Sequence, residues 1–192
     1  MSDIGKRIMY LLDLLLEQTN FNFTGKINIL KGKSNQFVGA IYQLEGQVVR
    51  FDYKALKGKK ALFQLVVDIE NEDPGRTQND GVYKFVPEPE IVEGNDIEFR
   101  FAPQDIGEII EKASLYAKDE GKLRPPGHLR LLINPDFAIQ GDIVGQVEYD
   151  LLVLLTEYSK VEDLYSHSEL LDFEITSSLV SLRKKGAIKV VN

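Results

Sequence analysis

The stretch Gln36-Phe37-Val38-Gly39-Ala40-Ile41-Tyr42-Gln43-Leu44-Glu45-Gly46-Gln47-Val48-Val49-Arg50-Phe51-Asp52-Tyr53 decides how the first half of the chain folds. Two runs rich in β-branched and aromatic residues flank Glu45-Gly46, a two-residue spacer of the kind that reverses a strand. A third run, Gly25 to Leu30, precedes them across Lys31-Gly32-Lys33-Ser34. Three strands joined by short turns predict an antiparallel meander.

Outward from that meander the spacing turns helical. Ile4, Ile8, Leu11 and Leu15 recur on one face of residues 3–18, with Lys6, Asp13 and Glu17 opposite and Leu12, Leu14 and Leu16 widening the apolar arc. Such a helix packs on its own sheet; a homodimer contact is the alternative. After the meander, Leu62, Phe63 and Val66 predict a helix over 57–67, the acidic stretch Glu70 to Gly81 a loop, and Gly81 to Val86 a strand. Pro87 and Pro89 keep the next residues extended. Ile106, Ile109, Ile110, Ala113 and Tyr116 define the inward face of a helix over 104–119, expected to end at Gly121. Leu123-Arg124-Pro125-Pro126-Gly127 reads as a linker.

Beyond the linker, Leu129 to Ile133 predicts a short strand, and Glu148 to Ser159 an apolar helix carrying Leu151, Leu152, Leu154, Leu155 and Tyr158. Val161 to His167 is a second, short helix. Asp172 to Lys185 is a third, with Ile175, Leu179 and Leu182 inward, and Ala187 to Val191 a terminal strand. Three helices and a strand of these lengths suit a winged helix-turn-helix variant. The expected fold class is therefore α+β: an antiparallel β-meander with flanking helices over 1–124, then a small winged-helix-like domain over 125–192.

Composition narrows the function. The 192 residues are 43% hydrophobic, enough for one good core or two small ones. A formal charge of −7 repels nucleic acid and anionic membrane at long range. Cysteine is absent, which removes disulfides, thiolate metal sites and cysteine nucleophiles, and makes a reducing, cytoplasmic setting the expectation. The apolar cluster Leu11–Leu16 is interrupted by Asp13 and has no cleavage site after it, so neither a signal peptide nor membrane insertion is expected.

Three segments carry a family resemblance: Phe23-Thr24-Gly25-Lys26-Ile27, Gly39-Ala40-Ile41-Tyr42-Gln43-Leu44-Glu45-Gly46-Gln47-Val48-Val49, and Gly58-Lys59-Lys60-Ala61-Leu62-Phe63. In that order they resemble the strand, hairpin and helix motifs of the PATAN family of bacterial signalling domains. The helix at Ile106 to Glu120 is similar to the family's later helix. The resemblance implies a regulatory or adaptor module that binds a protein in trans, a response regulator or another component of signalling, motility or polarity, with no catalytic residue to carry over. The chain departs from the commonest family arrangement in lacking a receiver domain and in its acidic Glu70–Gly81 stretch.

The candidate chemistry is sparse. Gly32-Lys33-Ser34 ends like a phosphate-binding loop, yet Ile27 stands where the leading glycine belongs, so a hairpin turn is expected. Lys57, Lys59 and Lys60 surround a predicted helix start at Gly58, where an anion would be favoured; a solvated charge run is the plainer reading. His128 and His167 have no partner at metal-ligand spacing, so no metal, cofactor or catalytic group is expected.

The last helix poses the main choice, because the second helix of a helix-turn-helix commonly reads DNA. Between Glu148 and Asn192 there are five basic residues against eight acidic ones, which argues against DNA. With Ile175, Leu179 and Leu182 inward, a 100° rotation per residue turns Phe173, Ser177, Val180 and Lys184 outward. An outward Phe and Val suit a protein partner, or contact with the first domain. The expectation is thus an adaptor acting by protein–protein contact, and the alternative a DNA-binding transcriptional regulator.

Overall fold

A computed structural model describes residues 3–72, 83–94, 97–101, 103–118, 123–140 and 143–191. It divides into two compact units, Met1–Lys118 and Asp119–Asn192. Most of the Glu70–Gly81 stretch and Gly121 lie outside the described residues, as do the side chains of Ile4 and Ile8.

In the first unit, α1 (Asp3–Asn20) precedes the meander β1 (Gly25–Lys31), β2 (Gln36–Leu44) and β3 (Gln47–Tyr53). Next come β4 (Leu56–Lys57), α2 (Gly58–Asn71), β5 (Tyr83–Pro89) and α3 (Pro103–Lys118). The sheet is wholly antiparallel in the order β4-β3-β2-β1-β5. Glu45 and Gly46 turn β2 into β3 with φ of 52° and 79°, the two positive values that a twist-matched two-residue hairpin requires. Gly32-Lys33-Ser34 is the β1–β2 turn, closed by Asn35 N–H on Gly32 O at 3.2 Å.

Register sets which side chains face the helices. Ile27, Ile41 and Phe51 align across β1, β2 and β3, and all three are fully buried. On the opposite side Lys26, Tyr42 and Arg50 align and stay half-exposed, so the sheet has one dry face and one wet one. α2 lies on the dry face and packs against α3, with Phe63 and Tyr116 rings 5.4 Å apart. It buries Ala61, Leu62, Phe63, Leu65, Val66, Val67 and Ile69, a wider arc than the three residues read from its spacing. A helix apolar on most sides needs neighbours on most sides, and here they are β3, α1 and α3.

Both sheet edges are managed. Glu98 and Phe99 donate backbone N–H to Val49 O, and Phe101 to Val48 O, so residues 97–101 cover the part of β3 that the short β4 leaves open. At the other edge, β5 runs on through Pro87 and Pro89, where the sequence predicts only extended chain. Both prolines pair with β1 in an unbroken register, so their nitrogens, which cannot donate, face away from the sheet.

The described residues of the second unit start at Leu123 and contain β6 (Arg130–Ile133), α4 (Pro135–Gln140), α5 (Gln146–Leu155), α6 (Val161–His167), α7 (Asp172–Lys184) and β7 (Ile188–Val191). Arg124, the last residue of the expected first domain, belongs here: its guanidinium lies 3.9 Å from the Tyr165 ring centroid and pairs with Asp172 at 2.8 Å. The core gathers Leu131, Phe137, Leu151, Leu155, Val161 and Leu164 with the inward face of α7. The three helices read from the sequence are present, but the strand after α7 pairs antiparallel with β6, which precedes them. A bridge between Arg130 and Lys160 flanks β6 on its other side. The described residues thus form a helical unit closed by a two-stranded sheet, and they do not establish the wing of a winged helix.

Candidate functional site

Three places in the molecule combine polar chemistry with defined geometry, and each is built by a different device. The first is a recess of about 410 Å³ in the first unit. Leu12, Leu15 and Leu16 of α1, Val48 of β3, Phe101 and Ile106 of α3 form its apolar walls. Along one side the β2–β3 turn lies directly on α1, which only a residue without a side chain allows: a Cβ on Gly46 would stand 2.8 Å from both Cα and O of Thr19. Thr19 Oγ1 lies 2.8 Å from Leu15 O and from Gly46 O and shares its one proton between them. At the mouth, exposed Arg100 donates from Nη1 to Gln47 Oε1 at 3.1 Å and forms no ion pair among the described residues.

The second is a polar cluster where β3, β5 and α2 meet. Tyr53 is fully buried, and its hydroxyl lies 2.7 Å from Asp68 Oδ2 and 2.7 Å from the Tyr83 hydroxyl. Gln64 Nε2 donates to Asp68 Oδ1 at 2.7 Å, and Lys54 Nζ donates to Asp68 Oδ2. Burial, then the hydrogen bonds with Tyr83 and Asp68, pushes the Tyr53 phenol far above its ordinary value, so it stays protonated. Burial alone would raise the Asp68 carboxyl; the bonds from Lys54, Tyr53 and Gln64 outweigh it and hold the carboxyl below the usual carboxylate range. Every polar atom of this cluster that carries charge faces an opposite charge or a donor. It is arranged to hold β3, β5 and α2 together.

The third is the face of α7. Ser177 and Lys184 are exposed as the rotation predicts, whereas Phe173 and Val180 are both half-buried. The first turn carries Asp172 and Glu174, and Glu174 accepts the Leu171 N–H at 2.8 Å, a stabilising arrangement at the positive end of the helix dipole. Lys185, one residue past the helix, is taken up by Glu148, with Nζ 2.6 Å from Oε2. Burial would raise the Glu148 carboxyl, but Lys185, the Ser181 hydroxyl and the Gly145 amide lower it to about 2.

The lysines at the start of α2 do not converge on one point. Lys57 Nζ pairs with Glu98 at 2.9 Å, Lys59 lies over the Phe101 ring, and Phe99 packs against Gly58. An anion at that helix start would have to displace Glu98. His128 sits exposed in a turn, and His167 stacks on Tyr158 with ring centroids 4.2 Å apart. No group of three or more His, Asp or Glu residues placed to hold a metal occurs among the described residues. No helix among them is long and apolar enough to cross a membrane.

No family model, curated protein or solved structure matches this chain. The recess and the tyrosine cluster have no signature in the sequence, because each is assembled from residues far apart in the chain. The one local hint is the Glu45-Gly46 pair, whose spacing by itself reads only as a turn.

Proposed function

We propose that the chain is a PATAN-like bacterial signalling adaptor, cytoplasmic and non-enzymatic, that binds a protein partner in trans, with the α7 face of its winged-helix-like tail as the contact. The observation that supports this reading is the sign of charge in the first turn of α7. A helix that enters the major groove presents cations and amides from its first turns to phosphates and base edges. Here those turns carry Asp172, already paired with Arg124, and Glu174, which accepts the Leu171 N–H, with the half-buried apolar Phe173 beside exposed Ser177. Acidic and apolar groups together suit a protein surface with complementary cations. The partner class, a response regulator or a motility or polarity component, comes from the family resemblance.

The test sets wild type against Ser177→Arg, a change at an exposed position of that face. Cross-linked capture from bacterial lysate should enrich a partner with wild type that the variant recovers at least tenfold less. A labelled DNA duplex titrated at 50 and 200 mM salt should show no submicromolar binding. Tight DNA binding that weakens steeply with salt would replace the adaptor reading with the transcriptional one.

A further inference from the structure

The recess in the first unit has a chemistry that the adaptor reading does not use. Its volume of about 410 Å³ lies within the range of small-ligand sites, roughly 300–1,000 Å³. Among the described residues no Asp or Glu lines it. Of its polar groups, the Thr19 hydroxyl is committed to the Leu15 and Gly46 carbonyls, and Gln47 Oε1 accepts from Arg100. What the mouth offers a newcomer is the rest of the Arg100 guanidinium, which has five donors and spends one on Gln47. Two cations of the neighbouring strands are satisfied by carboxylates: Arg50 by Asp52, and Lys57 by Glu98. Of these three, Arg100 stands at the rim of an apolar hollow and has no carboxylate partner among the described residues.

We propose that this recess binds an amphipathic monoanion, a medium-length apolar chain or ring ending in a carboxylate, with the apolar part between α1 and α3 and the carboxylate on Arg100. The walls supply affinity in proportion to the apolar area they cover. Arg100 supplies selection by charge, since a guanidinium meets a carboxylate in fork geometry and rejects an ammonium. Leu16, which is 41% exposed, forms part of the rim and is covered when the site fills. The Thr19–Gly46 link fixes the α1 side of the hollow, so the site is largely formed before the ligand arrives.

The test is calorimetric titration of the purified full chain with decanoate, 1-decanol and decyltrimethylammonium, all below their aggregation limits. Decanoate should bind one to one, at least tenfold tighter than decanol, and the cationic analogue should bind weakest. Arg100→Gln alters an exposed side chain and should fold normally, as far-ultraviolet dichroism and the melting temperature will show. It should reduce the decanoate-over-decanol preference to less than threefold while leaving decanol affinity in place. Leu16→Glu should weaken decanoate at least tenfold by bringing a carboxylate to the rim. The proposal is overturned if decanoate shows no saturable binding, if it binds no tighter than decanol, or if Arg100→Gln keeps the preference. It is equally overturned if light scattering shows a dimer that Leu16→Glu dissolves and decanoate leaves intact, which would give the hollow to a second copy of the chain. No partner protein enters the titration, so its failure would leave the adaptor reading where it stands.

Discussion

Replacing Tyr53 by Phe removes one oxygen from the middle of the β3–β5–α2 cluster and tests whether that cluster holds the first unit together. The phenol is fully buried and makes two bonds of 2.7 Å, one to a carboxylate and one to another phenol. Bonds to charged groups contribute about 1.5–3 kcal/mol and neutral ones about 1 kcal/mol, so Tyr53→Phe should cost about 2.5–4 kcal/mol. Tyr83→Phe should cost about 1 kcal/mol, because Tyr53 keeps its bond to Asp68. The Tyr53–Tyr83 bond is counted in both single variants, so the double variant should cost about 1 kcal/mol less than their sum. Urea denaturation followed by tyrosine fluorescence and far-ultraviolet dichroism gives these values, provided the transition of the first unit is fitted by itself. A loss below about 0.5 kcal/mol for Tyr53→Phe, or costs that add within about 0.3 kcal/mol, would refute the account of the cluster as a cooperative fastening.

Asp68, held below the usual carboxylate range, contributes stability that is full above its unfolded pKa of about 3.9 and lost as pH falls through its folded value. Asp68→Asn should therefore destabilise the first unit at pH 7 and flatten its acid-side loss, measured as urea midpoint against pH. Glu148 obeys the same sign in the second unit: its contribution is complete above about pH 4.5 and lost on the way down to about pH 2. With Lys185 partly in solvent, Glu148→Gln should cost only about 1 kcal/mol at pH 7 and almost nothing near pH 2, read from the melting temperature. Gly46→Ala should cost about 1–3 kcal/mol, since φ of 79° strains an L side chain and its Cβ meets the Thr19 backbone. Thr19→Val, which loses the hydroxyl and leaves that φ alone, should cost less in the same assay.

Local chemistry wrote much of the fold into the sequence. The meander strands β2 and β3 are bounded by residues that either alternate in the sheet or turn, and α6 spans Val161–His167 as its spacing implies. The inward residues of α3, Ile106, Ile109, Ile110, Ala113 and Tyr116, are all buried. Short elements escape a reading by periodicity because periodicity needs length. β4 is two residues, and α4, at six, announces itself only through Pro135 and Asp136 in its first turn. β5 extends past its expected end because proline reads as a strand breaker, which holds inside a sheet and fails at its edge. Phe173 and Val180 sit deeper than the rotation of α7 suggests, since a helical wheel ranks directions and says nothing of how far neighbours reach round. The recess needs three separated segments to come together, and no window of sequence contains them.

The pairing of β6 with β7 sets the order in which the second unit can be made. Ile133 meets Ile188 and Arg130 meets Val191, so the strand at the front of the unit waits for the one at its back while α4, α5, α6 and α7 are synthesised between them. Closing so long a loop costs entropy that only the finished helical core offsets, so the helices should gather first and the ribbon should shut last. On the ribosome, the unit stays unlatched until Val191 clears the exit tunnel, and until then the free side of β6 is exposed to any other strand that reaches it.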